Sequence, residues 1–86
     1  MNTFLLTVST PSGKAFEAEA YRLTVKGCDG ELGIMAGHIP FATTVVEGKC
    51  NITLPDESVI RAVISDGVLT VSKDKTHLLV AEYKTN

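Results

Sequence analysis

Hydrophobic and polar residues alternate along most of this chain with a period of two, the period of a β-strand. Phe4, Leu6 and Val8 alternate with Leu5, Thr7 and Ser9. Phe16, Ala18 and Ala20 alternate with Ala15, Glu17 and Glu19. Tyr21, Leu23 and Val25 alternate with Arg22, Thr24 and Lys26, and Cys50, Ile52 and Leu54 with Lys49, Asn51 and Thr53. Most of these segments have one apolar and one polar face, as in a sheet with one wet side. The last segment differs. Leu78 and Val80 lie on one face and Leu79 and Ala81 on the other. That pattern predicts a strand covered on both sides.

Turn signals separate these runs: Pro11-Ser12-Gly13, Gly27-Cys28-Asp29-Gly30, Ala36-Gly37, Glu47-Gly48, Pro55-Asp56 and Asp66-Gly67. Asp66-Gly67 sits between β-rich runs at residues 59–65 and 68–72, which predicts a two-residue hairpin. No helix is expected. Gly27, Gly30, Gly33 and Gly37 crowd one stretch, and each would cost about 1 kcal/mol inside a helix. The expected fold is all-β: a small β-sandwich or flattened barrel of about nine to ten short, mostly antiparallel strands. It forms one domain over residues 1–86.

Composition narrows the function. Apolar residues make up 44% and charged residues 21%, a globular balance. A net charge of -2, with basic residues scattered along the chain, argues against a general nucleic-acid binder. No apolar run approaches the ~20 residues of a membrane helix, and the N-terminus lacks a signal-peptide pattern, so a cytosolic protein without direct membrane insertion is expected. Cys28 and Cys50 are then expected as free thiols.

Catalytic and cofactor motifs fail one by one. Ser12-Gly13-Lys14 lacks both the earlier glycine and the following Ser or Thr of a phosphate loop. Gly27, Gly30 and Gly33 do not follow G-x-G-x-x-G spacing. His38 and His77 have no ligand spacing between them, and no serine sits in an elbow motif. The expectation is a non-catalytic protein with no cofactor and no metal.

One segment is far more specific: Gly30-Glu31-Leu32-Gly33-Ile34-Met35-Ala36-Gly37-His38-Ile39-Pro40. It resembles the G-E-x-G-x-x-x-x-H-x-P stretch of the epsilon subunits of F-type ATP synthases (delta in mitochondria). Gly48, with Cys50 and Ile52, fits the glycine that opens the next strand in that family. The stretch from Ile64 through Ser65, Asp66 and Gly67 to Val71 resembles its S-G-G-x-x-x-V hairpin. Leu6-Thr7-Val8 and Pro11 fit its first strand and turn. The resemblance spans nearly all of residues 4–83. Asp66 departs from the family's first hairpin glycine, and Ala36 from its usual proline. Family members typically add a domain of two antiparallel helices, and no helical pattern begins before residue 86.

The resemblance implies a sandwich that packs on the foot of the gamma subunit and rests on the polar loops of the membrane c-ring. It would turn with them and couple ring rotation, driven by protons or sodium ions, to the shaft during ATP synthesis. The place implied is peripheral, in the F1 sector on the cytoplasmic side of the cell membrane. Catalysis would reside in other subunits, and the inhibitory role of the helical domain would not carry over. The implied rotor-contacting surface is the loop at residues 29–40, with Asp29, Glu31, Met35, His38 and Ile39 as contacts. By themselves Asp29 and Glu31 also read as a solvated turn. His38 reads either as a histidine bonded to local backbone or as a partner contact. Met35 and Ile39 read first as core and second as interface. Gly30, Gly33, Gly37, Pro40 and Gly67 read as backbone requirements of turns or close packing. Weak self-association of the isolated sandwich is expected. A stand-alone sandwich that binds another protein outside the synthase is the other reading, and a small ligand-binding or enzymatic sandwich a third.

Overall fold

The computed structural model describes residues 2–37 and 40–85. Those residues form ten strands and no helix. The strands are β1 (Phe4–Thr10), β2 (Gly13–Ala20), β3 (Arg22–Gly27), β4 (Gly30–Met35), β5 (Phe41–Val45), β6 (Gly48–Thr53), β7 (Val59–Ile64), β8 (Gly67–Val71), β9 (Lys75–Val80) and β10 (Tyr83–Thr85). They hydrogen-bond in the order β10-β7-β6-β3-β5-β8-β9-β1-β2, with β4 added to β3. All pairs are antiparallel except β1 with β9.

The β3–β5 join is a single residue pair, Gly27 with Val45. It divides the strands into sheet I (β4-β3-β6-β7-β10) and sheet II (β5-β8-β9-β1-β2). Nine strands laid flat at ~4.8 Å spacing would span about 40 Å. The longest extent of the protein is 30 Å, so the ribbon folds back on itself. Sheet I then faces sheet II, and the two inner faces share one core. Leu23, Val25, Ile34, Cys50, Ile52 and Ile64 come from sheet I, and Leu6, Val8, Val45, Leu69, Leu78 and Val80 from sheet II. At the far seam Phe16 of β2 meets Tyr83 of β10, with ring centroids 6.4 Å apart. The result is the expected sandwich, close to a flattened barrel.

Two-residue and short turns do much of the local work. Pro11-Ser12 joins β1 to β2, and Cys28-Asp29 joins β3 to β4. Between β6 and β7 the Asp56 carboxylate accepts hydrogen bonds from the Ser58 amide (3.0 Å) and hydroxyl (2.6 Å), which closes the turn on itself.

Three expectations need correction. Asp66-Gly67 does not close a hairpin. β7 pairs with β6 and β10, whereas β8 pairs with β5 and β9, so the chain crosses from sheet I to sheet II there. Gly67 is needed for close approach instead of turn geometry: an added Cβ would overlap the Leu79 carbonyl and stand 2.6 Å from Val80 Cγ1. Second, β9 is not covered on both sides, because Leu79 is 51% exposed. Third, the glycine-rich stretch is not all loop. Residues 30–35 are strand β4, held to β3 along its whole length.

The crossing at residues 65–67 is tied in three ways. Ser65 Oγ accepts from the amides of Ala81 (2.9 Å) and Glu82 (3.0 Å). Asp66 Oδ1 accepts from the Glu47 amide at 2.6 Å. Gly67 pairs with both Val45 and Val80. Two of the other connections that switch sheets, β5 to β6 and β9 to β10, are therefore anchored to this one.

Gly67→Ala is expected to destabilise the fold by ~1–3 kcal/mol or more, the cost of overpacking against backbone that cannot move aside. Ser65→Ala removes the acceptor of two solvent-accessible amides, and a loss of about 0.5–1.5 kcal/mol is expected. Urea unfolding followed by circular dichroism reads both as lower midpoints. A midpoint unchanged in both variants would contradict the anchoring role.

Candidate protein-interaction surface

The candidate contact residues string out along one edge strand. At one end the Cys28-Asp29 turn is closed by the Gly27–Gly30 pair, and Gly30 has φ +128, a backbone that side chains rarely adopt. Asp29 and Glu31 are both exposed, and Glu31 stands across from Lys26. Neither acid has a hydrogen bond or ion pair among the described residues.

Six residues on, at the opposite end of β4, Met35 is 41% exposed and pairs with Arg22. The expectation of a core methionine is therefore corrected: Met35 borders an open cleft of about 400 Å3 with Asn2, Tyr21 and Ala36. Gly33, between the two ends, has the Arg22 guanidinium lying over it, where a Cβ would meet Nη2 at 3.2 Å. Gly37 has φ +82 and follows the strand, and Pro40 is exposed just before β5. His38 and Ile39 lie outside the described residues. At ~3.3 Å per residue, Asp29 and Met35 are separated by about 20 Å. The acidic turn and the Met35 end are thus two places on one edge.

The acidic end is larger than the turn. Val46 N donates to Lys26 O, and Cys28 Sγ lies 3.5 Å from Thr44 Oγ1, so the turn adjoins the sheet-switching corner. Glu47, Asp66 and Glu82 emerge at that same corner, all exposed. Asp66 is engaged with the Glu47 amide. No group of acids, histidines and cysteines among the described residues is arranged to hold a metal ion.

Two sheet faces complete the surface, and sequence reasoning missed both. The outer face of sheet II is nearly free of charge at its centre. Thr44, Val68, Leu79 and Ser9 form one cross-strand row, and Ala42, Thr70, His77 and Thr7 the next. Val68 is 43% and Leu79 51% exposed, and His77 Nε2 is 2.9 Å from Ser9 Oγ. The outer face of sheet I has the opposite character. Arg22, Lys26, Lys49, Arg61 and Lys84 all project from it. Strand parity marks each of these residues as outward. Only the strand order shows which strands share a sheet, and that is not written in the local pattern.

Residues 3–85 match the family described as ATP synthase, delta/epsilon chain, β-sandwich domain. The ATP synthase epsilon chain of Persephonella marina is 38% identical over 77 residues, covering 90% of this chain and 57% of that protein. The sodium ion specific ATP synthase epsilon chain of Acetobacterium woodii is 32% identical over 77 residues, covering 90% and 58%. The chain thus spans a little over half the length of these curated relatives. A chain in the solved structure of the Euglena gracilis mitochondrial ATP synthase (OSCP, F1 and c-ring) superposes with a TM-score of 0.92, covering 99% of this chain and 54% of that one. At 18% identity that likeness speaks for the fold alone.

The two cysteines give a direct probe of this geometry. Both are free; Cys28 is exposed in the turn and Cys50 is buried. Burial pushes the Cys50 thiol up from 9.0 to about 11. Below pH 9 it is protonated in folded and unfolded chains alike. Above that the unfolded chain loses the proton first, so stability falls between pH 9 and about 11. The loss reaches ~2–3 kcal/mol at the top of that window. A thiol reagent is expected to modify Cys28 quickly and Cys50 only after denaturation. Cys50→Val should flatten the alkaline loss of urea midpoint relative to the unsubstituted chain. Equal reactivity of the two thiols would contradict the burial of Cys50.

Proposed function

The chain belongs to the ATP synthase delta/epsilon-chain β-sandwich family, and on that premise we propose that it is a non-catalytic central-stalk part of a rotary ATP synthase. In this role it meets the gamma subunit and the c-ring and passes ion-driven rotation of the ring to the gamma shaft during ATP synthesis. The observation that carries the reading is the family match over residues 3–85, which takes in every strand of the fold. The names of the curated relatives, epsilon chains of ATP synthases, supply the complex. The place proposed is peripheral, in the F1 sector on the cytoplasmic side of the membrane. Coupling and assembly are what we assign to the sandwich; braking of hydrolysis and nucleotide binding are not.

The surfaces suit different partners. A face uncharged at its centre, with two half-exposed aliphatic side chains, Val68 and Leu79, has the composition of a lasting subunit contact, and we assign gamma to it. The acidic turn, with Asp29 and Glu31, suits the polar or basic loops of a ring. Met35, at the far end of β4, forms the third contact, and His38 and Ile39 are proposed as contacts from the resemblance alone.

The test is a mixture of the chain with the gamma subunit of the same organism, separated by size exclusion with light scattering. A one-to-one complex is expected. Leu79→Lys is expected to weaken it tenfold or more, about 1.4 kcal/mol. The Asp29→Ala, Glu31→Ala pair should leave gamma binding intact and weaken binding to ring-bearing particles. Without gamma, weak self-association through Val68 and Leu79 is expected by sedimentation, and Leu79→Lys should abolish it. Absence of any gamma complex would favour the stand-alone sandwich.

A further inference from the structure

Five of the chain's eight lysines and arginines stand on the outer face of sheet I, although the chain as a whole has a net charge of -2. The registers fix their places. Lys49 lies across from Val63, and Val63 from Lys84. Arg61 lies across from Asn51, and Asn51 from Thr24. Arg22 lies across from Thr53, and Thr53 from Val59. Lys26 and Lys49 border one cleft of about 390 Å3 with Gly30, Glu31 and Gly48. The single acid on this face is Glu31, on its outermost strand.

None of the five cations is in an ion pair among the described residues; the pair found there is Lys14 with Glu17, at 2.9 Å on sheet II. Two valines are exposed among them, Val59 and Val63, each 40%. A face of five cations with a single acid at its edge is held under self-repulsion, and an anionic partner relieves it.

We propose that the outer face of sheet I is a docking surface for an acidic segment of a protein partner. Its carboxylates meet Lys26, Lys49, Arg61 and Lys84, and its apolar side chains meet Val59 and Val63. A segment lying across the strands encounters a basic group roughly every 5–10 Å, the spacing of one or two strands. The mixture of cations and valines favours a peptide over other polyanions. No aromatic side chain projects from this face to stack a base. The valines are too short to enter the acyl layer of a membrane as an interfacial helix does. At the corner end Glu47 and Glu82 bound the face and repel the segment from that side. This assignment is independent of which partner meets sheet II, and it adjoins the contact proposed for Glu31, which lines the Lys26 cleft.

Isotope-labelled chain is titrated with a short peptide of alternating Glu and Leu, and the amide spectrum is followed. Shifts confined to β3, β6, β7 and β10 are expected, with affinity falling severalfold as salt rises to about 0.2 M, where charges are screened beyond ~7–8 Å. The Lys49→Glu, Arg61→Glu pair should weaken binding about tenfold or more. Lys73→Glu, in the connection before β9, should change it less than twofold. The variant's own amide spectrum reports its fold, and Lys49→Gln alone reads the same loss if the reversal unfolds the chain. Shifts spread over both sheets would overturn the proposal, as would equal affinity for a Gln-for-Glu peptide or unchanged binding by the variants. Stronger binding of phosphatidylglycerol vesicles or of single-stranded RNA at the same residues would overturn the choice of a protein partner.

Discussion

A glycine that cannot carry a side chain sets the register of β8 on β9 where the chain enters sheet II. Gly67 passes so close to the Leu79 carbonyl that a Cβ has no room, and this contact lets β8 leave β7 behind and join β9 and β5. Switching sheets strips backbone groups of ladder partners, and those groups need other acceptors. Ser65 and Asp66 supply the missing acceptors for Ala81, Glu82 and Glu47. One tripeptide thereby ties together three of the connections at which the chain changes layer, β5 to β6, β7 to β8 and β9 to β10. Which side chains face the core and which face water follows from that register, since a slip of one residue would exchange the two faces.

The same register sorts charge. Lysines and arginines dispersed along the chain gather on the outside of sheet I, while threonine, serine and aliphatic residues gather at the centre of sheet II. Acids from several connections emerge together at the corner. A compact sandwich whose longest extent is 30 Å thus offers three chemically distinct surfaces. A part that links several neighbours in a rotor needs such separation, because each neighbour must find its own place and be refused the others. The coupling role proposed for the chain uses the centre of sheet II, the acidic corner and the β4 edge of sheet I, and the basic residues of β6, β7 and β10 are left for an acidic partner.

Much of the fold could be read from alternation alone. Leu23 and Val25, Cys50 and Ile52, and Leu6 and Val8 point inward as their period-two pattern predicts. Other features depend on neighbours that local sequence does not name. Asp66-Gly67 has the chemistry of a hairpin turn, yet close packing against Leu79 decides its use. Leu79 has the pattern of a doubly covered strand, but no layer lies over it among the described residues. Met35 sits where an apolar residue suggests core, and its strand proves to be the sheet edge. The glycines of β4 suggest loop, although one of them makes room for the Arg22 guanidinium within a regular strand. The residues proposed as rotor contacts were legible through the family resemblance; their separation along β4 was not, because it depends on that stretch being extended.

The most direct test of the coupling role is ion-gradient-driven ATP synthesis by membrane vesicles whose synthase has been stripped of its epsilon subunit. Addition of this chain to vesicles from the same organism is predicted to restore synthesis together with stoichiometric binding to the particles. Vesicles that neither bind the chain nor regain synthesis, while an intact epsilon subunit restores both, would contradict it.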